Sequence, residues 1–67
     1  MKAFLARDSN GRLFLYIPHP PVKLKREWMT KYTSDIISHI HKNLFPEVKW
    51  EDEEPTEINI EIVNKHQ

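Results

Sequence analysis

The chain contains a single glycine, and it sits in Asp8-Ser9-Asn10-Gly11 between two short apolar runs. Lys2-Ala3-Phe4-Leu5-Ala6-Arg7 precedes that tetrapeptide, and Arg12-Leu13-Phe14-Leu15-Tyr16-Ile17 follows it. Asn-Gly supplies the positive φ angles of a tight reversal, and an aspartate side chain is a local acceptor for turn amides. Residues 2–17 are therefore predicted as a β-hairpin. A two-residue turn and a three-residue bulged loop both suit these residues. Both faces of the second run are apolar, as expected for a strand covered on both sides or for a face used in association.

The other end of the chain alternates. Ile58, Ile60 and Ile62 point one way while Glu57, Asn59 and Glu61 point the other, the pattern of a half-buried antiparallel strand over 57–63. Val48 and Trp50 share the two-residue spacing, so Asp52-Glu53-Glu54-Pro55 is expected to connect a second hairpin. Residues 64–67 are expected to fray. Between the two ends, Pro18-His19-Pro20-Pro21 stops the first ladder, because proline carries no amide hydrogen. Val22 to Trp28, with Lys23, Lys25 and Arg26, is read as a linker or edge segment inside one domain. The run from Asp35 to Leu44 admits two readings. Apolar positions 36, 37, 40 and 44 fit a helical stripe with Thr33 or Ser34 as N-cap, whereas its isoleucines favour a strand.

With 67 residues there is room for one domain with a small core. The absence of cysteine excludes disulfides, thiolate metal sites and cysteine catalysis, and fits a reducing compartment. No apolar run reaches the length of a membrane span, and the opening residues are too soon interrupted for a signal peptide, so a soluble, cytoplasmic protein is expected. Net charge is zero but unevenly spread. Residues 1–43 carry eight Lys/Arg against three Asp/Glu, and residues 44–67 carry two against seven. Two such halves either fold onto each other or face different partners.

The stretch Leu44-Phe45-Pro46-Glu47-Val48-Lys49-Trp50-Glu51-Asp52-Glu53-Glu54-Pro55 combines apolar anchors with a dense run of carboxylates. Anchors hold a backbone to a core while unpaired carboxylates stay in water, so an ordered acidic ridge is expected here. Together with Met1 to Asp8, Leu15-Tyr16 and Trp28, this stretch resembles a group of short, uncharacterised bacterial and phage-borne proteins. The group carries no assigned activity, so no functional residue is transferred from it. The resemblance implies strand just before Leu44-Phe45-Pro46.

Candidate chemistries thin out quickly. His39 and His41 would share one face of a strand, with His19 or a carboxylate completing a metal site, but no second paired motif supports such a site. Asp8-Ser9-Asn10-Gly11 opens like a calcium loop, yet no glutamate closes it at the required spacing. Glu51, Asp52, Glu53 and Glu54 are adjacent and solvated, so they lack the differing environments that a general acid and base need. Ser9, Ser34 and Ser38 have no glycine-lined oxyanion site, and one glycine cannot build a phosphate loop. The chain is read as non-enzymatic and without cofactor. Nucleic-acid binding would use Lys23, Lys25, Arg26 and Lys31, with Trp28 and Tyr32 as stacking platforms.

The sequence is thus read as one small, mainly β domain over residues 1–67, an antiparallel sheet of the N-terminal hairpin and the C-terminal strand. An α+β form with one short helix near 35–43 is the alternative. Its expected core is Phe4, Leu5, Leu13, Leu15, Ile17, Ile37, Ile40, Phe45, Val48, Ile58, Ile60 and Ile62. The expected function is a protein-binding module, an accessory or inhibitory protein presenting Trp50, Glu51, Asp52, Glu53 and Glu54 to an unidentified protein partner. Aromatics around Phe14, Tyr16, Phe45 and Trp50 exceed what one small core needs, which points the same way. The alternatives are a nucleic-acid-binding protein using the basic segment 23–31, and a structural homodimer formed through a sheet edge or a spare aromatic face. No membrane partner is expected.

Overall fold

The computed structural model describes residues 1–61, whose strands all pair antiparallel. Strands β1 (Lys2–Arg7), β2 (Leu13–Ile17), β3 (Pro21–Lys23), β4 (Trp28–Thr30), β5 (Asp35–Ile37) and β6 (Thr56–Asn59) make two sheets. One has four strands in the order β5-β2-β1-β6, and the other is the hairpin β3-β4. Among the described residues there is no helix; within 35–43 only Asp35–Ile37 is strand, and 38–43, where strand was expected just before Leu44-Phe45-Pro46, joins no sheet. The β-branched pair Ile36-Ile37 pairs with Tyr16 and Leu15 on β2, an edge place that suits stiff side chains.

The hairpin turn is the three-residue bulged loop. Asp8 and Arg12 close it, with the Asp8 amide donating to the Arg12 carbonyl at 2.9 Å. The Gly11 amide donates back to the Asp8 carbonyl at 2.9 Å, and Gly11 takes a φ of 90°. A Cβ there would meet nothing within 4 Å, so backbone conformation alone calls for glycine. Asp8 does not serve the turn amides as expected. Asn10 Oδ1 takes that role, accepting from the Arg12 amide at 3.0 Å, and Asp8 Oδ1 instead accepts from the Trp28 amide at 2.9 Å.

Strand register sorts the core onto two faces. Phe4 opposes Tyr16 and Ala6 opposes Phe14, and these four form one face with Trp28 and Trp50 packed on it. Leu5, Leu13 and Leu15 form the other, against Val48, Ile40 and Ile58. Strand β1 is buried on both sides, which explains its unbroken apolar centre. The β3-β4 hairpin covers the Phe4 face. Two strands alone are marginal in water, and Trp28, 5% exposed, ties them down. Truncating a side chain of that size in a core costs about 3–5 kcal/mol, comparable to the whole stability of a small domain.

Several expectations are corrected. Residues 22–28 are the second hairpin and not a linker, with the Leu24 amide donating to the Glu27 carbonyl at 2.8 Å across its turn. Residues 48–50 form no strand: Val48 packs on the Leu5 face and Trp50 on the Phe4 face, so the chain changes face between them. Ile37 and Phe45 are exposed. Tyr16, read as part of a spare aromatic face, is 3% exposed in the core, and Ala3, Ala6 and Trp28 join it there. Phe4, Leu5, Leu13 and Val48 are buried as expected, and Leu15, Ile17, Ile40, Ile58 and Ile60 are partly so. Ile62 and residues 64–67, which were expected to fray, lie outside the described residues.

Candidate functional site

The segment from His41 to Pro55 contains no strand, so its backbone carbonyls have no ladder to enter. Two cations from the basic half supply the missing partners. Arg7, at the end of β1, donates from Nε to the Val48 carbonyl at 2.7 Å. Its Nη1 donates to Gly11 and Lys42, and its Nη2 to Leu44 and Phe45, at 2.8 to 3.2 Å. All five guanidinium hydrogens end on carbonyl oxygens, a use only arginine's planar fork permits. The loop wraps that fork tightly enough to put Phe45 at a φ of 53°, a left-handed conformation that side chains with a Cβ disfavour.

Lys23 does the same for the acidic end. Its Nζ donates to the carbonyls of Trp50 at 2.6 Å and Asp52 at 2.9 Å. The ammonium also lies 4.3 Å from the Trp50 ring centroid and 5.8 Å from that of Trp28. Strand pairing of Lys23 with Trp28 aims the lysine stem between the two indoles. Trp28 Nε1 in turn donates to the Arg7 carbonyl at 3.1 Å, beyond the point where β6 stops pairing with β1. Ser9 locks the same corner, its hydroxyl and amide both donating to the Arg26 carbonyl at 2.6 and 3.2 Å.

The two charged halves therefore meet through cations and carbonyls, with the ridge carboxylates left over. Asp52 is the exception among them: its Oδ2 accepts from the Lys49 amide at 3.0 Å, closing the turn that carries the ridge. Glu51, Glu53 and Glu54 are exposed. Glu57 opposes Phe4 in the β1-β6 register, so a fourth carboxylate stands on the Phe4 face beside the ridge. The sequence reading assigned Glu57 only to a solvated strand face. What joins it to the ridge is the register, which alternation does not disclose.

The basic surface fares differently. Lys25, Arg26 and Lys31 are exposed, but Lys23 is held by the ridge and Trp28 is interior, so neither is offered to a nucleic acid. Tyr32 is exposed, with Lys31 Nζ 5.7 Å from its ring centroid and the His19 ring tilted against it at 5.5 Å. The candidate metal ligands His19, His39 and His41 are not gathered: among the described residues no three His, Asp or Glu side chains are placed to hold a metal. His41 Nδ1 accepts from the Asn43 amide at 3.1 Å.

Among the described residues nothing pairs with the outer edge of β5. The Met1 terminal ammonium donates to the Ile60 carbonyl and the Ile60 amide donates back to the Met1 carbonyl, while the Asp8 amide donates to Arg12, so even-numbered residues of β1 face β2 and odd-numbered residues of β2 face β5. Within β5 that alternation turns Asp35 and Ile37 inward and sends the amide and carbonyl of Ile36 outward. Ile36 is 51% and Ile37 40% exposed, one on each face of the sheet. Among the described residues no helix is long and apolar enough to cross a membrane. The chain matches no protein-family model, no curated protein and no solved structure.

Proposed function

We propose that this chain is a small non-enzymatic protein-binding module, an accessory or inhibitory protein of the cytoplasm that presents its acidic ridge to a basic partner. The observation that carries this reading is the pinning of the ridge backbone by Lys23, with Glu51, Glu53 and Glu54 left exposed on it. A charged surface that is already ordered loses little entropy on binding and steers an oppositely charged partner. Capture of partners from the native host by the intact chain, and by a Glu51→Lys, Glu53→Lys, Glu54→Lys variant, tests it. Asp52 is left unchanged in that variant because it closes the turn. Partners lost by the variant support the reading; an unchanged set removes the ridge from it.

A second reading, the homodimer, is favoured by the open edge of β5. An outward-facing amide and carbonyl beside two exposed isoleucines suit antiparallel pairing with the same strand of another copy. Light scattering behind size exclusion should then give a dimer that Ile36→Lys converts to monomer. A monomeric parent chain ends this reading.

A further inference from the structure

We propose that the cleft between the β3-β4 hairpin and the acidic segment receives one arginine or lysine of a protein partner, its stem on an apolar floor and its cation among Glu53, Glu54 and Glu57. This rests on the protein-binding reading above and adds where on the ridge the partner sits and what chemistry it must carry.

The cleft measures about 690 Å³, ample for one long side chain and part of its neighbours. Pro20 and Val22 give it exposed apolar surface, and Pro21 lines it with the nearly buried rings of Phe4 and Trp28 beneath. Pro55 lines it from the acidic segment. Proline walls cannot give up an amide and have a fixed φ, so the shape is largely set before a partner arrives. The three carboxylates come from two elements: Glu53 and Glu54 from the turn, Glu57 from β6 through its register with Phe4. Among the described residues the one cation lining the cleft is Lys23, whose ammonium already donates to the carbonyls of Trp50 and Asp52.

Apolar floor and acidic rim together select the occupant. Lysine and arginine place a long aliphatic stem on apolar surface while the charge stays at a wet rim. A bare cation would gain only exposed carboxylates, which are worth little in water. A phosphate backbone would be repelled. A proline-rich peptide needs open aromatic slots, and Trp28 is only 5% exposed.

The test titrates the intact, isotope-labelled chain with a short amidated peptide alternating arginine and valine, followed by amide and indole chemical shifts. The same peptide with glutamine for arginine is the control. Saturable shifts at Phe4, Val22, Glu57 and the Trp28 indole are expected, absent with the glutamine peptide. A Glu54→Gln, Glu57→Gln variant should bind about tenfold more weakly, as should Val22→Ser to a smaller degree, while Glu47→Gln binds as the parent does. Each variant's own spectrum shows whether it is folded. Equal binding of the glutamine peptide overturns recognition of the cation. Shifts centred on Glu51 and insensitive to Glu57 overturn the cleft yet leave the ridge as a protein-binding surface. Absence of binding by the arginine peptide also overturns the cleft, and capture by the charge-reversed ridge then decides the wider reading separately.

Discussion

Replacing Lys23 by methionine keeps an apolar stem between Trp28 and Trp50 and removes the ammonium alone. The structure allows the loss to be estimated. Two part-buried hydrogen bonds, of 2.6 and 2.9 Å, disappear, and hydrogen bonds to charged groups are worth about 1.5–3 kcal/mol each. The cation over Trp50 at 4.3 Å adds about 0.5–1 kcal/mol. Against these stand the desolvation of a half-buried ammonium and the access that water regains to the two carbonyls. We expect a net loss of about 2 kcal/mol, which for so small a domain lowers the melting temperature by about 8–16 °C. Calorimetry of the parent and Lys23→Met chains measures this directly. Amide hydrogen exchange adds the local signature: residues 50–54 should lose protection while the β1-β2 amides keep theirs relative to global stability. If the variant melts within about 2 °C of the parent and residues 50–54 exchange unchanged, Lys23 does not hold the ridge, and the pre-ordered surface argued above loses its basis.

Arg7→Met removes five carbonyl partners at once, and we expect a loss of about 3–4 kcal/mol or outright unfolding; Arg7→Lys, with three donors and no fork, should fall between, as denaturant titration will show. The Tyr16 phenol is pushed up to about 12, first by burial and then by the charges of Asp8 and Glu27. The folded state therefore keeps its proton while the unfolded chain, with an ordinary value near 10, begins to lose it. The contribution is intact below pH ~10 and disappears as pH rises toward ~12, by up to roughly 2 kcal/mol. Urea midpoints across that range should fall less steeply for Tyr16→Phe, and equal slopes would refute the assignment.

What was legible in the sequence is what a local pattern can encode. Asn10-Gly11 marks a reversal because one residue must take a positive φ, and the isoleucines at 36, 37, 58 and 60 favour strands through their stiff branching and, near the end, their alternation. The acidic run was visible as charge that must stay in water. Residues 22–28 misled, because lysine and arginine are surface residues by frequency, and nothing local distinguishes Trp28 in a core from Trp28 on a surface. Its burial follows from the docking of one hairpin on the other, through Asp8, Ser9 and the Arg7 carbonyl.

The same limit applies to the site. Sequence alone pointed to a small, mainly β domain, with a helix near 35–43 still open, and to a charged segment near its end. Only tertiary structure decided that Arg7 and Lys23 satisfy that segment through its carbonyls, that Val48 and Trp50 fall on opposite faces, and that Glu57 stands beside the ridge. Periodicity reports how a segment would sit against a surface. It does not report which surface, because that depends on where distant unpaired donors and acceptors meet once the chain has folded.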